Sequence, residues 1–134
     1  MAELRLRVYY EDTDAAGVVY YANYLRFFER ARTEWLRSAG FQQRAIAGEH
    51  GIVFVVAEAS LRYRRPAHLD DELRILTGIA ERHGSFLVFA QDALRGEELL
   101  CSGRVKVACV DAERLRPTRL PAAIEEHLAK SPLP

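Results

Sequence analysis

One segment of this chain has the pattern of a long amphipathic helix, and any sheet formed by the rest must be covered by it. Tyr24, Phe27, Phe28, Ala31 and Trp35 recur at i, i+3, i+4, i+7 and i+11, which is one helical face. Arg26, Arg30, Thr33 and Arg37 fall on the opposite side. Asn23 suits the N-cap and Gly40 the position after the C-cap, so the pattern predicts a helix over Asn23–Ala39. A second short helical piece is expected from Gln42 to Glu49, ending before Gly51.

The stretch from Ile52 to Asp111 reads as strand. Between Val53 and Tyr63 the odd positions are Val53, Val55, Ala57, Ala59, Leu61 and Tyr63, while Glu58, Ser60 and Arg62 make the even ones polar. That alternation predicts a half-buried strand. Further strands are expected over Leu73–Glu81, Phe86–Leu94 and Leu99–Val110, with a first one over Arg5–Tyr10. Turns fall at Pro66 with Asp70-Asp71-Glu72, at His83-Gly84 and at Arg95-Gly96-Glu97. Pro121 can open a short C-terminal helix carrying Ile124 and Leu128. Several strands look longer than the ordinary five or six residues. The simplest architecture is α+β: one aromatic helix wrapped by a curved antiparallel sheet of about five strands.

At 134 residues the chain is expected to form a single domain, residues 1–134. Nineteen Lys and Arg balance nineteen Asp and Glu. This removes the electrostatic case for a nucleic-acid partner or for coating an anionic membrane, but leaves room for a small anion held locally. Only Lys106 and Lys130 are lysine; the other basic residues are arginine, the better bidentate partner for phosphate. Cys101 and Cys109 on one strand would lie about 26 Å apart, far beyond disulfide reach. They read as small buried hydrophobes. No secretory leader pattern and no apolar run of about 18 residues is present. A cytoplasmic protein without membrane insertion is the expectation.

The chemistry-bearing stretch is Val8-Tyr-Tyr-Glu-Asp-Thr-Asp-Ala-Ala-Gly-Val-Val-Tyr-Tyr-Ala-Asn-Tyr24. Glu11, Asp12 and Asp14 gather just before the helix. A solvated acidic turn is one reading. A calcium loop fails, because Ala16 and Asn23 stand where ligands are required and a strand precedes the loop. The third reading is catalytic. Free N–H groups and the positive dipole end suit a developing oxyanion. A carboxylate across from them can attack a carbonyl or activate water. Spacing leaves open whether Asp14 and the helix start face each other.

These residues resemble the 4-hydroxybenzoyl-CoA thioesterase superfamily of hotdog-fold proteins, and most closely its Tol-Pal-associated acyl-CoA thioesterase branch. The similarity rests on Tyr-Glu-Asp-Thr-Asp14-x-x-Gly17-Val-Val-Tyr, Asn23-Tyr24, Phe28-Glu29-Arg30-Ala31-Arg32-Thr33-Glu34, Arg65-Pro66-Ala67 and Leu69-Asp70-Asp71. It runs from about Leu6 to Pro121. The resemblance implies a hotdog fold and hydrolysis of acyl-CoA to the free acid and coenzyme A, without metal or other cofactor. It implies Asp14 as nucleophile or general base, and the Tyr21 backbone N–H as the group polarising the thioester carbonyl. The Tol-Pal branch commonly has His where this chain has Tyr21, which leaves the donor N–H intact. Gly17 would permit the tight loop, and Asn23 would cap the helix or hold the loop.

Coenzyme A brings phosphates, for which Arg62, Arg64 and Arg65 are candidates, with Arg82 expected at a nearby turn. Ser85 is a weaker candidate for the pantetheine arm. The four histidines, His50, His68, His83 and His127, have no metal-ligand spacing. Exposed sheet edges in a single hotdog predict a homodimer or homotetramer with sites between protomers. Two rivals remain. A dehydratase or hydratase would need a His near the helix start, and none occurs before His50. The other is an acyl-CoA-binding or envelope-complex module without turnover.

Overall fold

The aromatic stripe forms helix α1 (Asn23–Ser38) in a computed structural model that describes residues 2–40 and 51–129. Tyr24, Phe27, Phe28, Ala31 and Trp35 are all buried, as their spacing requires. The helical piece expected over Gln42–Glu49 lies outside the described residues. Five strands make one antiparallel sheet: β1 (Ala2–Arg7), β2 (Ile52–Tyr63), β3 (Glu72–Arg82), β4 (Phe86–Arg95) and β5 (Glu98–Asp111). Their spatial order is β1-β3-β4-β5-β2, which leaves β1 and β2 at the edges. A short helix, α2 (Ala122–Ala129), buries Ile124 and Leu128 against the far end of α1.

Two elements depart from the sequence pattern. The first strand ends at Arg7 instead of Tyr10, because the Asp12 carboxylate accepts the Tyr9 N–H at 2.8 Å and turns the chain into a single 3-10 turn, Tyr10–Asp12. In β2 the register shifts between Val56 and Glu58, so Ala57 is an extra residue. Before it, the helix-facing residues are even-numbered, with Ile52 and Phe54 packed in the core beside Trp35. After it they are odd-numbered, with Leu61 packed beside Phe28. A bulge resets the period-two alternation. The odd-numbered apolar face read from the sequence therefore holds only for the second half of the strand.

The core has two apolar halves. One surrounds Phe27 and Phe28 with Leu73, Ile75, Ala93 and Cys101; the other surrounds Trp35 with Ile79, Leu87, Phe89 and Val105. Between them one row of the sheet, Thr77–Gln91–Gly103–Leu61, passes under the middle of α1. Gln91 is 1% exposed and uses both ends of its amide. Its Nε2 donates to the Phe28 carbonyl and to Thr77 Oγ1, each at 2.9 Å, and its Oε1 accepts from Arg32 Nη1 at 3.0 Å. Buried polar groups are tolerable only when satisfied in this way.

Gly103 completes the row by letting the helix approach. A Cβ there would lie 2.7 Å from Leu61 Cδ2 and 2.9 Å from Phe28 Cε2, and the Phe28 ring has no room to retreat. Gly103→Ala should therefore destabilise the protein by about 1–3 kcal/mol through overpacking. Gln91→Ala should cost roughly 2–3 kcal/mol by stranding Arg32 and Thr77. Urea unfolding midpoints check both, and an unchanged midpoint in either variant would contradict this packing.

Candidate active site

The acidic loop is built on two carboxylates with different surroundings. Asp12 is buried, and its side chain joins two segments: Oδ2 takes the Tyr9 N–H and Oδ1 takes Asn23 Nδ2 at 2.9 Å. Asn23 is thus the first residue of α1, and its side chain reaches back to the loop. The capping expectation is corrected: the N-cap is Ala22, which has no side chain to offer the helix. The Asn23 amide group is already engaged by Asp12. That engagement matches the loop-holding alternative.

Asp14 lies in the open at the head of a tight turn. Its N–H donates to the Val18 carbonyl at 2.9 Å, its own carbonyl accepts from Gly17 at 3.0 Å, and its Oδ1 accepts the Ala16 N–H at 2.9 Å. Gly17 has φ 79°, the left-handed region where a Cβ is costly. The turn is pinned to the body by the Val19 N–H, which donates to the Ala67 carbonyl at 2.9 Å. A cleft of about 310 Å³ follows, with Glu11, Thr13 and Asp14 on one side and Ala22, Asn23 and Arg26 of α1 on the other. Asp14 and the first turn of the helix therefore border one cavity.

The helix start is electrostatically unfilled. No acidic residue occupies its first turn. Among the described residues the Tyr20, Asn23 and Leu25 N–H groups are bonded, whereas those of Tyr21, Ala22 and Tyr24 find no acceptor. Such free donors at a helix N-terminus favour negative charge.

A second groove, about 280 Å³, opens on the other side of Tyr21. Tyr63 Oη donates to the Tyr21 carbonyl at 2.8 Å, and Arg64 and Arg65 line the same groove. Arg65 is ion-paired to Glu98 at 3.3 Å. Arg62 and Arg64 are exposed and have no carboxylate partner among the described residues. The structure thus joins the arginine strand end to the helix start. It does not bring the other candidates there. Arg82 pairs with Leu87, which pairs with Val107 and so with Val56, six residues or about 20 Å along β2 from Arg62. The expected proximity of Arg82 is therefore corrected, because the long β3–β4 hairpin carries its turn to the opposite end of the sheet. Ser85 sits at that same end, where its carbonyl accepts the Cys109 N–H.

The cysteines are buried on β5, and burial pushes the Cys101 thiol up to about 12 and the Cys109 thiol up to about 11. Neither offers a thiolate near neutral pH. The sequence pattern did not single out the loop-holding Asp12 or Arg26, which lines the cleft. Asp12 had the visible signal of an acidic neighbour to Asp14, but spacing did not say which carboxylate would be buried.

A long helix gripped by a five-stranded antiparallel sheet, with a carboxylate loop at the helix start, defines the hotdog class. Residues 8–128 match the Thioesterase-like superfamily, and the protein belongs to it. It is 45% identical over 120 residues to the Acyl-CoA thioesterase YbgC of Haemophilus influenzae, covering 90% of this chain and 88% of that one. It is 48% identical over 120 residues to the Acyl-CoA thioester hydrolase YbgC of Escherichia coli O6:H1, covering 89% of each. The crystal structure of a probable thioesterase from Bartonella henselae superposes with a TM-score of 0.86 at 41% identity, over 90% of this chain and 98% of that one.

The Asp12–Asn23 link gives a direct test. Asp12→Ala should lower the unfolding free energy by about 1–3 kcal/mol, since it strands a buried amide and the Tyr9 N–H. Denaturant titration measures this. Thiol titration gives a second test: the folded protein should resist a thiol reagent at neutral pH, and both cysteines should react once guanidinium unfolds it.

Proposed function

We propose that this protein is a cytoplasmic acyl-CoA thioesterase in which Asp14 supplies the base or nucleophile and the start of α1 supplies the oxyanion donors. The observation that carries the reading is the cleft bordered by Asp14 and by Ala22 and Asn23 at the start of α1, where the Ala22 N–H and that of the adjacent Tyr21 have no acceptor among the described residues. The acyl-CoA chemistry named for the Haemophilus influenzae and Escherichia coli relatives supports the substrate class. Two buried, unbridged cysteines fit a reducing compartment.

In this mechanism the thioester oxygen points at the Tyr21 N–H, where accumulating negative charge meets fixed donors and the helix dipole. Asp14 either takes a proton from a water that attacks the carbonyl carbon, or attacks it directly to form an anhydride that water then opens. The carbon–sulfur bond breaks, and the coenzyme A thiolate leaves and is protonated. Arg64 lines the groove at the helix start and shares an adjoining one with Arg62, and neither has a carboxylate partner among the described residues, which suits them to the coenzyme A phosphates. Gly17 keeps the Asp14 turn tight, Asn23 holds the loop to the helix, and Ser85 remains a pantetheine contact only through a second copy of the chain. That second copy belongs to the reading. The β2 edge is twelve residues long with Val55 and Val56 exposed, an edge suited to pairing with its own counterpart.

Asp14→Asn should reduce kcat for short acyl-CoAs by about a hundredfold or more. The asparagine oxygen can still accept the Ala16 N–H, so the thermal midpoint should stay close to that of the native protein. Release of free thiol from an acyl-CoA panel measures the rate. Wild-type turnover in the variant would remove Asp14 from the mechanism.

A further inference from the structure

Arg32 of α1 is a buried charged side chain. It is 8% exposed, and among the described residues its hydrogen bond from Nη1 to Gln91 is its only polar contact. Among the described residues no carboxylate lies within ion-pair distance. Burial pulls its pKa below the ordinary guanidinium value, and the charge of Glu29 offsets this only in part. A buried arginine normally has a paired anion, because desolvating an unpaired charge is costly.

The remaining donors border a cavity of about 200 Å³ walled by Leu36, Phe54, Val56 and Phe89, with Glu29 at its rim. Glu29 is exposed and accepts the Thr33 hydroxyl at 3.1 Å, which holds its carboxylate along the helix. At 100° per residue, Ala22, Arg26, Glu29, Arg32 and Leu36 share one broad face of α1. The Asp14 cleft and the Arg32 cavity are thus successive stations along that face. The ten residues from Ala22 to Arg32 span about 15 Å, and long helical side chains lean toward the N-terminus, which shortens the gap.

We propose that Arg32 is a specificity residue that selects acyl groups bearing a carboxylate at their far end, received in this apolar cavity while the thioester lies at the start of α1. The thioester's position rests on the thioesterase reading; the carboxylate selection rests on Arg32. A guanidinium can only donate, and a carboxylate is the acceptor that matches its fork and its charge. The apolar walls fit the methylene chain.

The test measures binding with coenzyme A thioethers, which have no carbonyl to hydrolyse. Calorimetry compares S-carboxypentyl-CoA with S-hexyl-CoA, and S-carboxyheptyl-CoA with S-octyl-CoA. In at least one pair the carboxylated ligand should bind about tenfold more tightly or better. Arg32→Gln should abolish that preference. Where Arg32→Gln does not fold, Glu29→Gln decides. Removing the rim charge should tighten the carboxylated ligand several-fold and leave the alkyl ligand unchanged. Equal or tighter binding of both alkyl ligands to the native protein overturns the inference, as does a preference that persists in Arg32→Gln. If that variant is unfolded, unchanged binding of the carboxylated ligand by Glu29→Gln overturns it. Failure to hydrolyse any acyl-CoA would instead defeat the thioesterase reading and leave these binding results standing.

Discussion

The side-chain amide of Gln91 fixes where the helix crosses the sheet, and the rest of the architecture is arranged around that crossing. Apolar packing alone is non-directional, so an aromatic helix on a curved sheet could slide or rotate with little change in buried area. Gln91 removes that freedom by donating to one particular carbonyl, that of Phe28, and to one particular neighbour on β3, Thr77. Gly103 sets the depth of approach in the same row. One polar bond sets the register of the helix and one missing side chain sets its height. The two apolar halves of the core can then pack as independent clusters on either side.

Fixing the helix fixes its N-terminus, and the loop before it is held by a separate device. Asp12 and Asp14 are two residues apart in sequence and opposite in surroundings. Asp12 is buried between the Tyr9 N–H and the Asn23 amide, with its acceptor capacity committed to structure. Asp14 stands exposed on a turn that Gly17 closes, with one oxygen held by Ala16 and the other facing water. In the proposed mechanism Asp14 needs free lone pairs and a fixed position together. The loop separates these demands by giving the anchoring task to the neighbour. The same reasoning explains why Ala22 rather than a residue with a capping side chain stands at the N-cap of α1: a side-chain cap would fill the donors that the proposed chemistry requires.

Much of this was legible in the sequence because it follows from periodicity. The helical stripe, the bounds of β2 to β5 and the turn at Gly96 are local patterns, and each lies within about two residues of where it was expected, whereas β1 lies three residues earlier. The errors came where a single nonlocal contact overrules a local pattern. The Ala57 bulge switches the buried face of β2, and only the partner strand β5 defines it. Asn23 looks like a cap by type, yet its partner lies eleven residues upstream. Arg82 looks close to Arg62 in a list of basic residues, but a hairpin of two long strands carries it away. The catalytic assignment of Asp14 and Tyr21 came from resemblance, since spacing alone did not say whether they face each other.

Arg32 shows the same limit from the opposite direction. Its neighbours Arg26, Arg30 and Arg37 are exposed, so charge patterning places it with a solvated face. The β4 alternation held a contrary signal: Gln91 lies in phase with the buried Leu87, Phe89 and Ala93. A polar residue at a core position demands a polar partner across the interface, and on α1 Arg32 is the donor one turn beyond Phe28 that can reach it. The pair therefore has to be read together, one element against the other. A buried guanidinium carries a full charge and five N–H donors, more than the single Gln91 oxygen can accept. The surplus faces the cavity, and it is this imbalance between donors and acceptors, more than the cavity's shape, that gives the interior of the protein a chemical preference.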